Sequence, residues 1–132
     1  MSYQQQSPDA ELPQRLAQAD TVISGVVVDT APMGGQPASL GPVQNPDWQR
    51  ATVQIETVEK GKVETKTMDV LFAKSTDIAW HRSPKLAKGD HVVLLLHRRD
   101  PFGRAVPGLA VVHPSDKQAI TELPKVRGLL KR

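Results

Sequence analysis

Five apolar residues in succession, Val92-Val93-Leu94-Leu95-Leu96, form the longest uninterrupted apolar run in the chain. A bilayer-spanning helix needs about 20 such residues, so no transmembrane helix is expected. A run this short with no polar side reads as a strand buried on both faces, over residues 91–96, and it is the candidate central strand. Glycine (9) and proline (11) recur through the 132 residues, which favours short strands and turns over long helices. The chain is 39% hydrophobic and 23% charged, enough apolar material to fold, and its length suits one domain.

Along the chain, residues 1–8 have no apolar period and read as a disordered N-terminus. Leu12, Leu16 and Ala19 recur at helical spacing, predicting a short helix over 9–20 with Pro13 in its first turn. Residues 21–30 are rich in β-branched side chains, with Gly25 where a bulge would bend the strand. Residues 31–47, with four prolines, read as a long loop. From Trp48, Ala51, Val53 and Ile55 alternate with polar residues, and after Lys60-Gly61 an extended pattern resumes from Val63 to Phe72, predicting an antiparallel hairpin. Residues 73–90 form a second long loop. Residues 105–112 make a shorter strand weakened by Pro107-Gly108. Ser115 can cap a helical turn reaching Glu122.

The expected architecture is therefore mainly β: five antiparallel strands closed into an OB-like β-barrel, with a short N-terminal helix. One barrel domain is expected over 9–123, followed by a basic tail over 124–132. Val53, Ile55, Val70, Val93 and Leu95 occupy the parity expected to point into one core.

Three segments carry a family resemblance: Ala19-Asp20-Thr21-Val22-Ile23-Ser24-Gly25-Val26-Val27, Val53-Gln54-Ile55-Glu56-Thr57-Val58-Glu59-Lys60-Gly61, and Leu86-Ala87-Lys88-Gly89-Asp90-His91-Val92-Val93-Leu94-Leu95. In their apolar pattern and glycine turns, over residues 12–96, they resemble the netrin-like, or tissue-inhibitor-of-metalloproteinases-like, OB-fold domains of bacterial proteins. The resemblance implies a barrel used for binding, often outside the cytoplasm, without catalytic machinery of its own. The inhibitors of that group chelate their target's metal through an N-terminal cysteine; this chain has no cysteine, so that activity is not carried over.

No catalytic constellation is read. The serines lie outside any glycine-flanked nucleophile elbow, and Gly61-Lys62 opens a strand and lacks the upstream glycine of a P-loop. His91 and His97 share a strand face but stand about 20 Å apart along it, so no metal site is predicted, and no cofactor. Without cysteine there is no disulfide or thiolate chemistry. Met1–Gln6 shows neither the basic nor the apolar region of a secretory leader. The compartment is extracytoplasmic if a leader has been trimmed and cytoplasmic otherwise.

Charge is uneven. Residues 1–50 sum to −3, residues 51–96 to +1 and residues 97–132 to +5, within a net charge of +3. OB barrels bind single strands by combining a basic groove with aromatic platforms, so Trp48, Trp80, His81, Arg98, Arg99, Phe102 and Arg104 are the candidate binding residues. With so few aromatics, both tryptophans are expected to cover barrel ends. The favoured function is non-catalytic binding of another protein through the loops 31–47 and 73–90. Single-stranded nucleic acid, bound through the basic last third, is the alternative.

Overall fold

The computed structural model describes residues 8–32, 47–75, 80, 82–100 and 103–131. Residues 1–7, read as disordered, fall outside that set. Helix α1 (Pro8–Gln18) leads into strands β1 (Thr21–Pro32), β2 (Trp48–Lys60), β3 (Thr67–Ala73), β4 (His91–Arg99) and β5 (Ala105–Val111). A 3-10 turn (Pro114–Asp116), a short strand β6 (Lys117–Ala119), a second 3-10 turn (Ile120–Glu122) and helix α2 (Leu123–Leu130) complete the chain.

The strands pair in the order β1-β2-β3-β5-β4, and β4 pairs back onto β1, so five strands form a ring. β6 adds to the first half of β4, Val92 facing Ala119. An all-antiparallel ring was expected, but β3 and β5 run parallel through Leu71↔Ala110 and Phe72↔Val111. Parity requires this. When directions alternate around a closed ring, an odd number of strands leaves one pair of neighbours running the same way.

Gly25 lets β1 serve both β2 and β4. A Cβ there would lie 2.3 Å from the Gln54 carbonyl oxygen and 2.9 Å from Val53 Cγ1, and the β1–β2 register shifts at this point. The β2–β3 connection is longer than the sequence suggests: β3 begins at Thr67, and residues 61–66 make the turn around Gly61, whose φ is +84°. Pro13 lies inside α1 rather than in its first turn.

β4 is buried on both faces, and its two faces serve different cores. Val92, Leu94 and Leu96 point inside the ring with Ile23, Val27, Val53 and Val70. Val93 and Leu95 point outward and pack with Val22 against Leu12 and Leu16 of α1 and Val126 of α2. The expected single core of Val53, Ile55, Val70, Val93 and Leu95 is thus split: Val53 and Val70 are inside, Ile55 packs half-buried against them, and Val93 and Leu95 lie under the helices. A strand with no polar side gives no sign of which parity faces inward.

The basic end, read as a tail, folds as α2. Arg127 donates to the Glu59 carboxylate on β2 through Nε (2.8 Å) and Nη2 (3.1 Å), and this guanidinium holds the Glu59 carboxyl below the usual carboxylate range against the opposing effect of partial burial. α1 is tied down at its C-terminus, where Lys60 Nζ donates to the Leu16 (2.8 Å) and Ala17 (3.0 Å) carbonyls and Asp20 N–H to Leu96 O.

Candidate functional site: a cleft and a clasped segment

Pro107 and Gly108 lie where the pairing of β5 with β4 is irregular, beside a cleft. Pro107 has no N–H to give a ladder, and between the pairs His97↔Ala110 and Arg99↔Ala105 β4 advances two residues while β5 advances five. β5 therefore bulges between these two pairs. The cleft, of about 790 Å³, is walled on one side by Arg15, Gln18 and Asp20 at the end of α1, and on the other by the end of β4 and the start of β5. Ala105, Val106 and Gly108 give that second wall an apolar stretch.

A buried carboxylate holds Arg15 and His97, two of the residues that line the cleft. Asp116 is fully buried and accepts from Arg15 Nε (3.1 Å) and Nη2 (2.9 Å), from the Val112 and His113 backbone N–H groups (2.9 Å each), and lies 3.1 Å from His97 Nε2. Burial alone would raise its pKa; the hydrogen bonds from His97 and Arg15 and their charge outweigh that and hold the carboxyl below its ordinary range. Asp116 thereby joins α1, β4 and the turn after β5. His113 accepts from Ser115 N–H through Nδ1 and pairs through Nε2 with the Glu11 carboxylate. His91 pairs with Glu56 at 2.6 Å. Among the described residues no three histidine or acidic side chains gather where they could hold a metal ion, and no helix is long and apolar enough to cross a membrane.

The arginines differ in their commitments. Arg15 is bound to Asp116, and Arg104 to Asp100 (Nε–Oδ2 2.8 Å, N–Oδ1 2.9 Å). Arg99 gives one donor to Gly103 O at 2.9 Å, and Arg98, 74% exposed, stands 3.8 Å from Asp20, too far for a hydrogen bond. Arg98 and Arg99 both line the cleft.

On the outer face of β3 and β5, Trp48 and Trp80 meet edge to face, their ring centroids 5.5 Å apart at 70°, packed with Leu71, Ala73, Ala110 and Val112. They are 7% and 1% exposed, so neither offers a stacking platform to a base. Val106 packs on this cluster and also lines the cleft, so the two features share a wall.

Trp80 is held there by a lysine. Lys85 Nζ lies within hydrogen-bond reach of the carbonyls of Ala73 (2.5 Å), Ser75 (2.9 Å) and Trp80 (3.1 Å) and of Ser83 Oγ (3.0 Å). Partial burial pushes the Lys85 ammonium below its ordinary pKa. This clasp gives part of residues 73–90 a defined shape without regular secondary structure.

Of the sequence-predicted binding residues, the structure brings Arg98 and Arg99 into the cleft, places Arg104 on its neighbour Asp100, and buries Trp48 and Trp80. His81 and Phe102 lie outside the described residues. Arg15, Lys85 and Asp116 were missed: Arg15 and Asp116 are 101 positions apart, and no local pattern announces their pairing. The first long loop starts later than expected, since Ala31 and Pro32 belong to β1; its residues 33–46 are outside the described set. Its two roots adjoin the root of the second loop. Pro32 faces Gln49, Trp48 faces Ala73, and Lys74 N–H donates to Asp47 O at 3.1 Å.

No known protein-family model and no curated protein matches the chain.

Proposed function

We propose that this chain is a non-catalytic binding module on an OB-like barrel, and that its partner is another protein contacted through residues 31–47 and 73–90. The strand order β1-β2-β3-β5-β4, closing on β1 with β3 parallel to β5, supports the barrel reading. The observation that carries the function is that the roots of both long loops lie at one end of the ring, with the described part of the second clasped by Lys85 and anchored by Trp80. Loops positioned by a rigid scaffold are where binding surfaces concentrate. The Arg15–Asp116–His97 cluster joins α1, β4 and the turn after β5, a structural role.

Burial of both tryptophans weighs against the single-strand alternative, which needs exposed aromatic faces beside the basic groove. The deciding experiment compares the full chain with a variant in which residues 34–45 are replaced by a short glycine-serine linker. At about 0.15 M salt, where the screening length is near 8 Å, the full chain should retain a protein partner from an extract of its own cells and the variant should lose it. Saturable sub-micromolar binding of a labelled oligonucleotide under the same conditions, with retention of protein unchanged by the replacement, would transfer the function to nucleic acid.

A further inference from the structure

We propose that the cleft between α1 and the β4–β5 hairpin is a second binding site, at the other end of the ring from the long loops, and that it takes an acidic peptide segment whose carboxylates are engaged by Arg98 and Arg99. The strand directions place it there: β4 ends and β5 begins at the cleft, whereas β2 begins and β3 ends at the roots of the long loops.

The chemistry of the walls selects the ligand. A guanidinium carries five donors in a planar fork that matches a carboxylate. Arg15 and Arg104 already hold Asp116 and Asp100, while Arg99 gives one donor to Gly103 O and Arg98 stands 3.8 Å from Asp20. Two forks with donors to spare thus line an opening of about 790 Å³, Arg98 beside Asp20 and Arg99 beside Gly103, a size suited to a few residues of a bound chain.

Three features favour a peptide over a nucleic-acid strand. The half-exposed Asp20 carboxylate interrupts the cleft, and a continuous phosphate backbone would meet it where separate acidic side chains can avoid it. Among the described residues the aromatic faces that bases would need are buried. The apolar stretch of Ala105 and Val106 suits the apolar side chains of a mixed segment, a wall a sugar-phosphate chain does not use.

The test uses a fluorescent peptide alternating glutamate with leucine and alanine, its glutamine counterpart, and a labelled oligothymidylate, titrated with the full chain at about 0.15 M salt. The glutamate peptide should bind saturably, and at least about tenfold more tightly than either of the others. Arg98→Gln with Arg99→Gln, both exposed, should melt where the parent does and weaken the glutamate peptide by about tenfold or more; Arg98→Lys, which keeps charge but loses the fork, should fall between. Lys74→Gln with Lys88→Gln, at the end that bears the long loops, should change the affinity less than about twofold. Equal weakening by the two double variants, equal binding of the glutamine peptide, tighter binding of oligothymidylate, or absence of saturable peptide binding would each overturn the assignment. The Arg98 and Arg99 variants leave the long loops unaltered, so loss of this site leaves the loop-mediated reading to its own experiment.

Discussion

The ring carries two covers on its outer surface, and they are held by different forces. Over β1 and β4, α1 and α2 bury Leu12, Leu16 and Val126 against Val22, Val93 and Leu95, so apolar burial dominates and the polar ties are peripheral. Over β3 and β5, the segment after β3 lays down a single indole, Trp80, and its path is set by one ammonium group gathering carbonyls from Ala73, Ser75 and Trp80. A helix satisfies its own backbone and needs only an apolar stripe to dock. An irregular segment must find partners for its carbonyls elsewhere, and here Lys85 supplies them. The first cover behaves as part of the fold; the second is a shaped loop resting on it.

The largest expected effect comes from the joint between the helical cover and the sheet. Asp116→Ala leaves Arg15, His97 and two backbone N–H groups without their shared acceptor, and breaking a buried ion pair in this way costs about 3–5 kcal/mol. A urea midpoint unchanged by this substitution would refute the joint. The same carboxylate makes stability depend on pH. Its folded pKa is depressed, so its contribution is fully present above the unfolded value of about 3.9 and is lost as pH falls through the folded value. Urea midpoints measured from neutral pH downward should therefore fall more steeply on the acid side for the parent than for Asp116→Asn.

Leu95→Ala should cost about 2–5 kcal/mol, because the fully buried side chain packs beneath both helices and its loss leaves a cavity there. If the helical cover is integral, this loss lowers the denaturation midpoint of the whole protein. A smaller effect, about 1–3 kcal/mol, is expected for Lys85→Met, which keeps the aliphatic stem and removes the donors from three carbonyls. The smallest belongs to Arg127→Ala, whose bond to Glu59 lies at the exposed rim of the helical cover. Its melting temperature should stay close to that of the parent, and the small difference should shrink further at high salt.

Much of this division could be read from residue patterns. The run Val92–Leu96 announced a strand covered on both faces, and both covers of β4, the ring interior and the helices, are present. Which parity faced inward was not written there, because alternation needs a polar face to orient it. The helix α1 showed in the spacing of Leu12 and Leu16. α2 has a comparable pattern in Leu123, Val126 and Leu130, but the lysines and arginines among them and Gly128 made it read as a tail. Pro107-Gly108 marked a weak strand, and the structure places its irregular pairing beside the cleft that Arg98 and Arg99 line. Lys85 left no trace, because a clasp of backbone carbonyls has no sequence signature. Both tryptophans were expected to cover barrel ends; they are instead packed against each other on the outer face of β3 and β5.

Amide hydrogen exchange on the parent and on Lys85→Met tests most directly whether the second cover is a shaped loop rather than part of the fold. Loss of the clasp should speed exchange by at least about tenfold in the described amides of residues 74–90, while the amides of α1 and α2 keep their protection. Acceleration spread equally over both covers, or none in the Trp80 segment, would contradict the account.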